Sequence, residues 1–152
     1  DHIGTEEAIA LKSRAGVANA RLAYELFTQT HSSPAAKKLV AAGMHPQRPL
    51  WASTGVKDPA LPEALYVTEL AAPHTVNTMP EKTLHATFRD GGVAGDRVSV
   101  AADESRAVLS RLEDLGISLS AVTEELEREG VAKFIASWNE LLETVSHAIA
   151  ES

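Results

Sequence analysis

Ser53, Thr54 and Lys57 are the residues whose types and spacing best suit chemistry in this chain. They follow a short apolar run, Leu50, Trp51 and Ala52, and share a loop with Gly55. Two hydroxyls, backbone amides that a glycine lets approach a ligand, and one point cation together suit a phosphate or another small anion. The plain alternative is a solvated turn carrying a surface lysine. Asn77 is a second polar candidate, set between Val76 and Thr78. Pointing into an enclosed interior it would reach a substrate, and otherwise it is a hydrogen-bonded interior polar residue.

Other chemistries find little support. Histidines stand at positions 2, 31, 45, 74, 85 and 147, with no i, i+4 pair and no HExxH, so no metal site is expected. There is no cysteine, which removes disulfides and thiolate zinc and fits a reducing, cytoplasmic compartment. The net charge of −7 argues against a nucleic-acid backbone or an anionic membrane as partner. No apolar run approaches the roughly 18 residues that span a bilayer. Gly91, Gly92 and Gly95 follow no strand and read as a loop, not a nucleotide fingerprint. The 152 residues and 44% hydrophobic content allow one domain with a real core. The chain starts at Asp1 without methionine and enters a helical pattern almost at once, which reads as a fragment, a processed chain or a truncated form.

The elements that must position these residues follow from periodicity. Residues 5–30 read as helix, broken once, with Thr5 as cap and Glu6 and Glu7 in the positive first turn. Gly16 marks either the break or a close contact. Lys12, Arg14 and Arg21 are expected to face water. Ser33 and Pro34 open a second helix that stops at Gly43. Pro49 fits a strand start, giving a strand over about 49–53 with Arg48 at its beginning. Pro62 opens a helix to about Leu70. Residues 75–79 form a second strand, and Pro80 starts a helix to about Phe88. Strand, helix, strand, helix is a parallel crossover unit.

From about Asp103 the chain is helical. Val108, Leu112 and Leu115 form an apolar stripe closed by Gly116. Ser120 is expected to cap the next helix, with Gly130 either its end or a break. Val131, Phe134, Ile135, Trp138, Leu141, Leu142, Val145 and Ile149 line one face of the last helix, and Trp51 and Trp138 are expected in a core. Two parallel strands among so many helices are too few, because parallel strands are covered on both faces and belong to larger sheets. The missing strands therefore lie upstream or on another chain.

The run RPLWASTGVKDP at 48–59, followed by LYVTELAAPHTVNTMPEKTL at 65–84, closely resembles the transaldolase family in its longer bacterial type. The likeness extends through Ala18 to Tyr24, Leu126 to Val131 and Ser137-Trp138, and covers almost the whole chain. It implies an α/β fold, part of a (β/α)8 TIM barrel. Residues 1–100 would supply the last two parallel strands, about 49–53 and 75–79. Residues 101–152 would be C-terminal helices packed on the barrel within the same domain.

Substrate phosphate would be held by Ser53, which matches the family's serine by position, and by Lys57. Short-type members carry an arginine nearer that serine. Thr54 and Asn77 would be possible substrate contacts.

The implied reaction moves a dihydroxyacetone unit from a ketose phosphate such as sedoheptulose 7-phosphate to an aldose phosphate such as glyceraldehyde 3-phosphate. It proceeds through a lysine Schiff base without a cofactor. The resemblance puts that lysine on the fourth strand, outside these residues, so no catalytic residue is expected here. The expected partners are sugar phosphates and the rest of the barrel, with no nucleic acid or membrane. The competing reading is a non-catalytic helical module that binds a partner through helix 131–150.

Overall fold

Thr5 opens the helical part of the chain as its sequence predicts. Its Oγ1 accepts a hydrogen bond from the Ala8 amide at 3.2 Å, ahead of α1 (Glu6–Ala10). The computed structural model describes residues 3–90 and 92–151, so His2, Gly91 and the start at Asp1 lie outside the described residues. The segment 5–30 is two helices, the second being α2 (Ala15–Ser32). The break falls before Gly16, in a turn where Ser13 has a φ of 63° and Leu11 is buried. The left-handed residue of the turn is Ser13, and Gly16 lies inside α2. Lys12 lies in that turn and not on a helix.

Ser33 caps α3 (Pro34–Ala41) by accepting from the Ala36 amide at 3.2 Å. Gly43, with a φ of 99°, lets the Met44 amide reach back to the Leu39 carbonyl at 3.0 Å and ends the helix.

Two strands follow, β1 (Leu50–Trp51) and β2 (Val76–Asn77), separated by the single turn α4 (Leu65–Thr68). They pair in parallel, Leu50 opposite Val76 and Trp51 opposite Asn77. The ladder is completed by Val76 N donating to Pro49 O at 2.9 Å and Thr78 N donating to Trp51 O at 3.0 Å. Both strands are shorter than their sequence patterns suggest. At Ser53 the backbone turns left-handed, with a φ of 55°, and Pro80 stops β2 from continuing. The helix expected over 62–70 shrinks to one turn, although Val67 and Leu70 are buried. α5 (Glu81–Asp90) runs two residues past the expected end, its first bond being Leu84 N to Pro80 O at 3.0 Å.

The link to α6 (Ala102–Asp114) is anchored. Asp96 Oδ1 accepts from the amides of Val98 at 2.9 Å and Ser99 at 3.0 Å, and Val98 is buried.

Arg21, expected at the surface, has a side chain only 13% exposed. Arg14, Glu104, Arg21, Glu69 and Arg97 alternate in one chain of ion pairs that ties α2 to α6, to the end of α4 and to the link. The apolar body of arginine is what lets it sit half inside the core while keeping its pairs.

The chain divides into two compact units, up to Arg111 and from Leu112 onward. In the second, α6 ends at Gly116, whose φ is 81°, with Ile117 N bonded to Leu112 O at 3.0 Å. α7 (Leu119–Ala150) then runs 32 residues without interruption. Its cap is Ser118, accepting from the Ala121 amide at 3.3 Å, while Ser120 donates to Glu124 instead. Gly130 neither ends nor breaks it. No described side chain of α7 is buried, and Trp138, expected in a core, is 60% exposed.

Two glycines separate backbone need from backbone cost. Gly116→Ala is expected to destabilise by about 1 kcal/mol, since an L residue is strained at that φ. Gly130→Ala is expected to stabilise α7 by about 1 kcal/mol, because alanine is the better helix former and the added Cβ meets nothing within 4 Å. Far-UV circular dichroism through a denaturant titration reads both, and a common sign would contradict the assignment.

Candidate functional site

Parallel pairing sets the location of the site. The two strands run the same way, so the loops leaving their C-terminal ends emerge together. The β1 loop begins with Ser53, and Thr78, Met79 and Pro80 follow β2. The sequence candidates sit here, but in two different roles.

Ser53 and Lys57 are exposed. Ser53 makes no hydrogen bond, and Lys57 no ion pair, among the described residues. Thr54, by contrast, is 4% exposed. Its Oγ1 donates to Asn77 Oδ1 at 2.7 Å and lies 3.2 Å from the Thr78 carbonyl oxygen. Thr54 and Asn77 are thus brought together, with the single hydroxyl proton and the amide oxygen both in use. Asn77 is in register with Trp51, whose indole Nε1 donates to the Leu70 carbonyl at 2.9 Å. Register partners share a face, so Asn77 lies on the face from which Trp51 reaches the end of the α4 segment. Leu50 and Val76 share the opposite face, where Leu50 is 53% exposed.

Three fastenings hold the loop. Thr54 grips the end of β2. Gly55 lies so close to Pro80 that a Cβ there would come 3.0 Å from Cγ and 3.7 Å from Thr83 Oγ1. Further on, Glu63 pairs with Lys82 of α5 at 2.7 Å and with Arg89 at 3.4 Å. The hydrogen bond from Lys82, and then that from Arg89, hold the Glu63 carboxyl below its ordinary range. Within the loop, Asp58 Oδ1 accepts from the Ala60 amide at 2.9 Å. The exposed donors therefore ride on a pinned backbone.

The Glu63–Lys82 and Gly55–Pro80 contacts left no signal in the sequence, because they join positions in separate elements with no periodic relation.

A cleft of ≈ 380 Å³ adjoins the loop, bordered by Asn19, Trp51, Ser53, Thr54 and Tyr66 among others. Among the described residues no group of His, Asp or Glu comes together in a way that could hold a metal ion. No described helix is long and apolar enough to cross a membrane.

A helix-rich parallel α/β protein, with an unpaired cation and an exposed hydroxyl where the first strand ends, is the class that this arrangement defines. The family model described as Transaldolase/Fructose-6-phosphate aldolase matches residues 1–145, and the chain belongs to that family. It is 58% identical over 149 residues to a transaldolase of Renibacterium salmoninarum, covering 98% of this chain and 40% of that protein. It is 57% identical over 152 residues to an Arthrobacter transaldolase, covering 100% of this chain and 41% of that protein. Transaldolase 1 of Streptomyces coelicolor is 52% identical over 147 residues, covering 97% of this chain and 39% of that protein. The chain thus spans about 40% of the length of the curated relatives it matches. The family match runs through most of α7, so that helix belongs to the family and the reading of a separate interaction module is not supported.

Gly55→Ala is the substitution that tests the pinned loop. A Cβ at 3.0 Å from the Pro80 ring forces ring or loop to shift. The expected cost is about 1 kcal/mol, at the lower end for overpacking. Equilibrium denaturation measures it, and an unchanged midpoint would mean that the loop is loose.

Proposed function

We propose that this chain is the C-terminal part of a transaldolase and that its β1 loop grips the phosphate of the sugar substrates. In this reading β1 and β2 are the last two strands of a (β/α)8 barrel, and the helices after residue 100 pack against that barrel in the same domain. The whole enzyme would move a dihydroxyacetone unit from a ketose phosphate, such as sedoheptulose 7-phosphate, to an aldose phosphate, such as glyceraldehyde 3-phosphate. A lysine elsewhere in the protein would form the Schiff base. Among the described lysines none lies on a strand. The setting would be the cytoplasm, and the partners sugar phosphates and the remainder of the barrel.

The observation that carries the phosphate reading is that Ser53 and Lys57 are both exposed on one loop leaving the C-terminal end of a parallel strand, Lys57 without an ion pair among the described residues. In barrels of this class the active site forms at that end, and phosphate commonly sits near the last strands. Lys57 would act as a point charge and Ser53 as a hydrogen-bond donor. The open face of α7 supports the packing proposal. Phe134 is 83% exposed and Trp138 60%, areas of aromatic surface that the rest of a barrel would cover.

The test uses the full-length protein. Lys57→Ala is expected to raise the KM for both sugar phosphates by about ten-fold or more, the usual loss for a charge-assisted hydrogen bond. Ser53→Ala is expected to raise it less, by about three- to ten-fold. Steady-state kinetics with each phosphate varied in turn gives both figures. Unaltered Michaelis constants in both variants would remove the phosphate assignment.

A further inference from the structure

We propose that Thr54 is a positioning residue for Ser53: its buried hydroxyl, held on the end of β2, fixes the left-handed turn that presents Ser53 to a substrate phosphate. The proposal rests on the phosphate-site reading above.

Ser53 has a φ of 55°, a conformation that costs a non-glycine residue about 1–2 kcal/mol and persists only where the surroundings impose it. Its own side chain supplies no such restraint, since Ser53 is exposed and makes no hydrogen bond among the described residues. The restraint comes from the next two residues. Thr54 is 4% exposed and its hydroxyl reaches Asn77 Oδ1 at 2.7 Å and approaches the Thr78 carbonyl at 3.2 Å. Gly55 then nests against Pro80 in a space too tight for a Cβ without adjustment. Thr54 lies three residues beyond Trp51, the last paired residue of β1, and alternation alone would place it on the face opposite Trp51 and Asn77. The left-handed turn at Ser53 accompanies its return to Asn77.

Direct contact between Thr54 and substrate is a poor fit to this geometry. The side chain is buried and its one proton is already donated. Asn77 is the second member of the device: its oxygen holds the hydroxyl, and its place in the ladder opposite Trp51 holds Asn77. A binding group kept in place before the ligand arrives loses less freedom on binding, so the effect falls on affinity for the group that Ser53 meets.

The experiment compares Thr54→Val, Thr54→Ser, Asn77→Ala and Ser53→Ala in the full-length protein, each with a sugar phosphate and with the same sugar lacking phosphate. Thr54→Val keeps the shape and removes the hydroxyl. It is expected to raise the KM for the sugar phosphate about three-fold, no more than Ser53→Ala does, while kcat stays within about two-fold. The slower reaction of the unphosphorylated sugar should not respond. Thr54→Ser, which retains the hydroxyl, should restore the KM. Asn77→Ala, which removes the acceptor, should shift the KM in the same direction as Thr54→Val and decides the matter should Thr54→Val not fold.

Constants equal to wild type in Thr54→Val or Asn77→Ala, or parallel losses with both sugars, would overturn the proposal. Ser53→Ala separates the two levels of inference. If it leaves the preference for phosphate untouched, Ser53 has no part in the phosphate site, and Lys57→Ala decides whether the site itself stands. If it lowers that preference while Thr54→Val does not, only the positioning role is lost.

Discussion

Parallel pairing of β1 and β2 is the constraint on which the rest depends. Antiparallel neighbours could be joined by a two-residue turn, but parallel neighbours need the chain to travel back along the sheet. The stretch from Ala52 to Thr75 makes that journey, burying Val67 of α4 and, just beyond it, Leu70, whose carbonyl takes the Trp51 indole hydrogen bond. The same geometry gathers the two strand ends. Thr54 can reach Asn77 and Thr78, and Gly55 can reach Pro80, only because both strands point the same way. Were either strand reversed, the loop after Trp51 would leave from the opposite end of its partner.

Around that pair, polar groups are used where apolar ones would not specify position. Tyr24 is 4% exposed and its hydroxyl donates to the Pro73 carbonyl at 3.1 Å, fixing α2 against the approach to β2. Arg21 links Glu69 and Glu104, with its Nε buried and unpartnered. Arginine can serve two carboxylates at once because its donors fan out in a plane. The exposed ion pairs of α7, such as Lys133 with Glu129 at 2.8 Å, are of a different kind and carry little stability, being open to solvent.

Much of this was legible in the sequence because its causes are local. Thr5 and Ser33 were readable as caps, Gly43 and Gly116 as helix ends, and Pro80 as a helix start, since each acts within one turn of itself. The parallel order followed from the alternation of patterns. Misreadings arose where distant groups decide. The break before α2 turns at Ser13, beside the buried Leu11, and Gly16 lies within the helix. Arg21 was expected in water because its carboxylate partners lie 48 and 83 positions away. Ser120 and Ser118 are equivalent as caps by composition, and Gly130 is tolerated because 32 residues of helix absorb a single weak position. At the site, the residue types were readable, but the division of Thr54 from Ser53 required the backbone angle at Ser53.

The separation in sequence between the paired strands carries a kinetic meaning. Leu50 meets Val76 only after the intervening chain has closed on itself, and closure costs entropy before the ladder returns any. Each strand contributes two residues, so the ladder alone returns little. The turns of α2 and α7 need no such meeting, because their bonds join residues four apart and helix growth takes nanoseconds per residue, roughly. Loop-closure entropy therefore predicts that the strand pair forms after the helices. A loop whose geometry is set by contacts across that pair acquires its shape only when the slowest part of this region is finished.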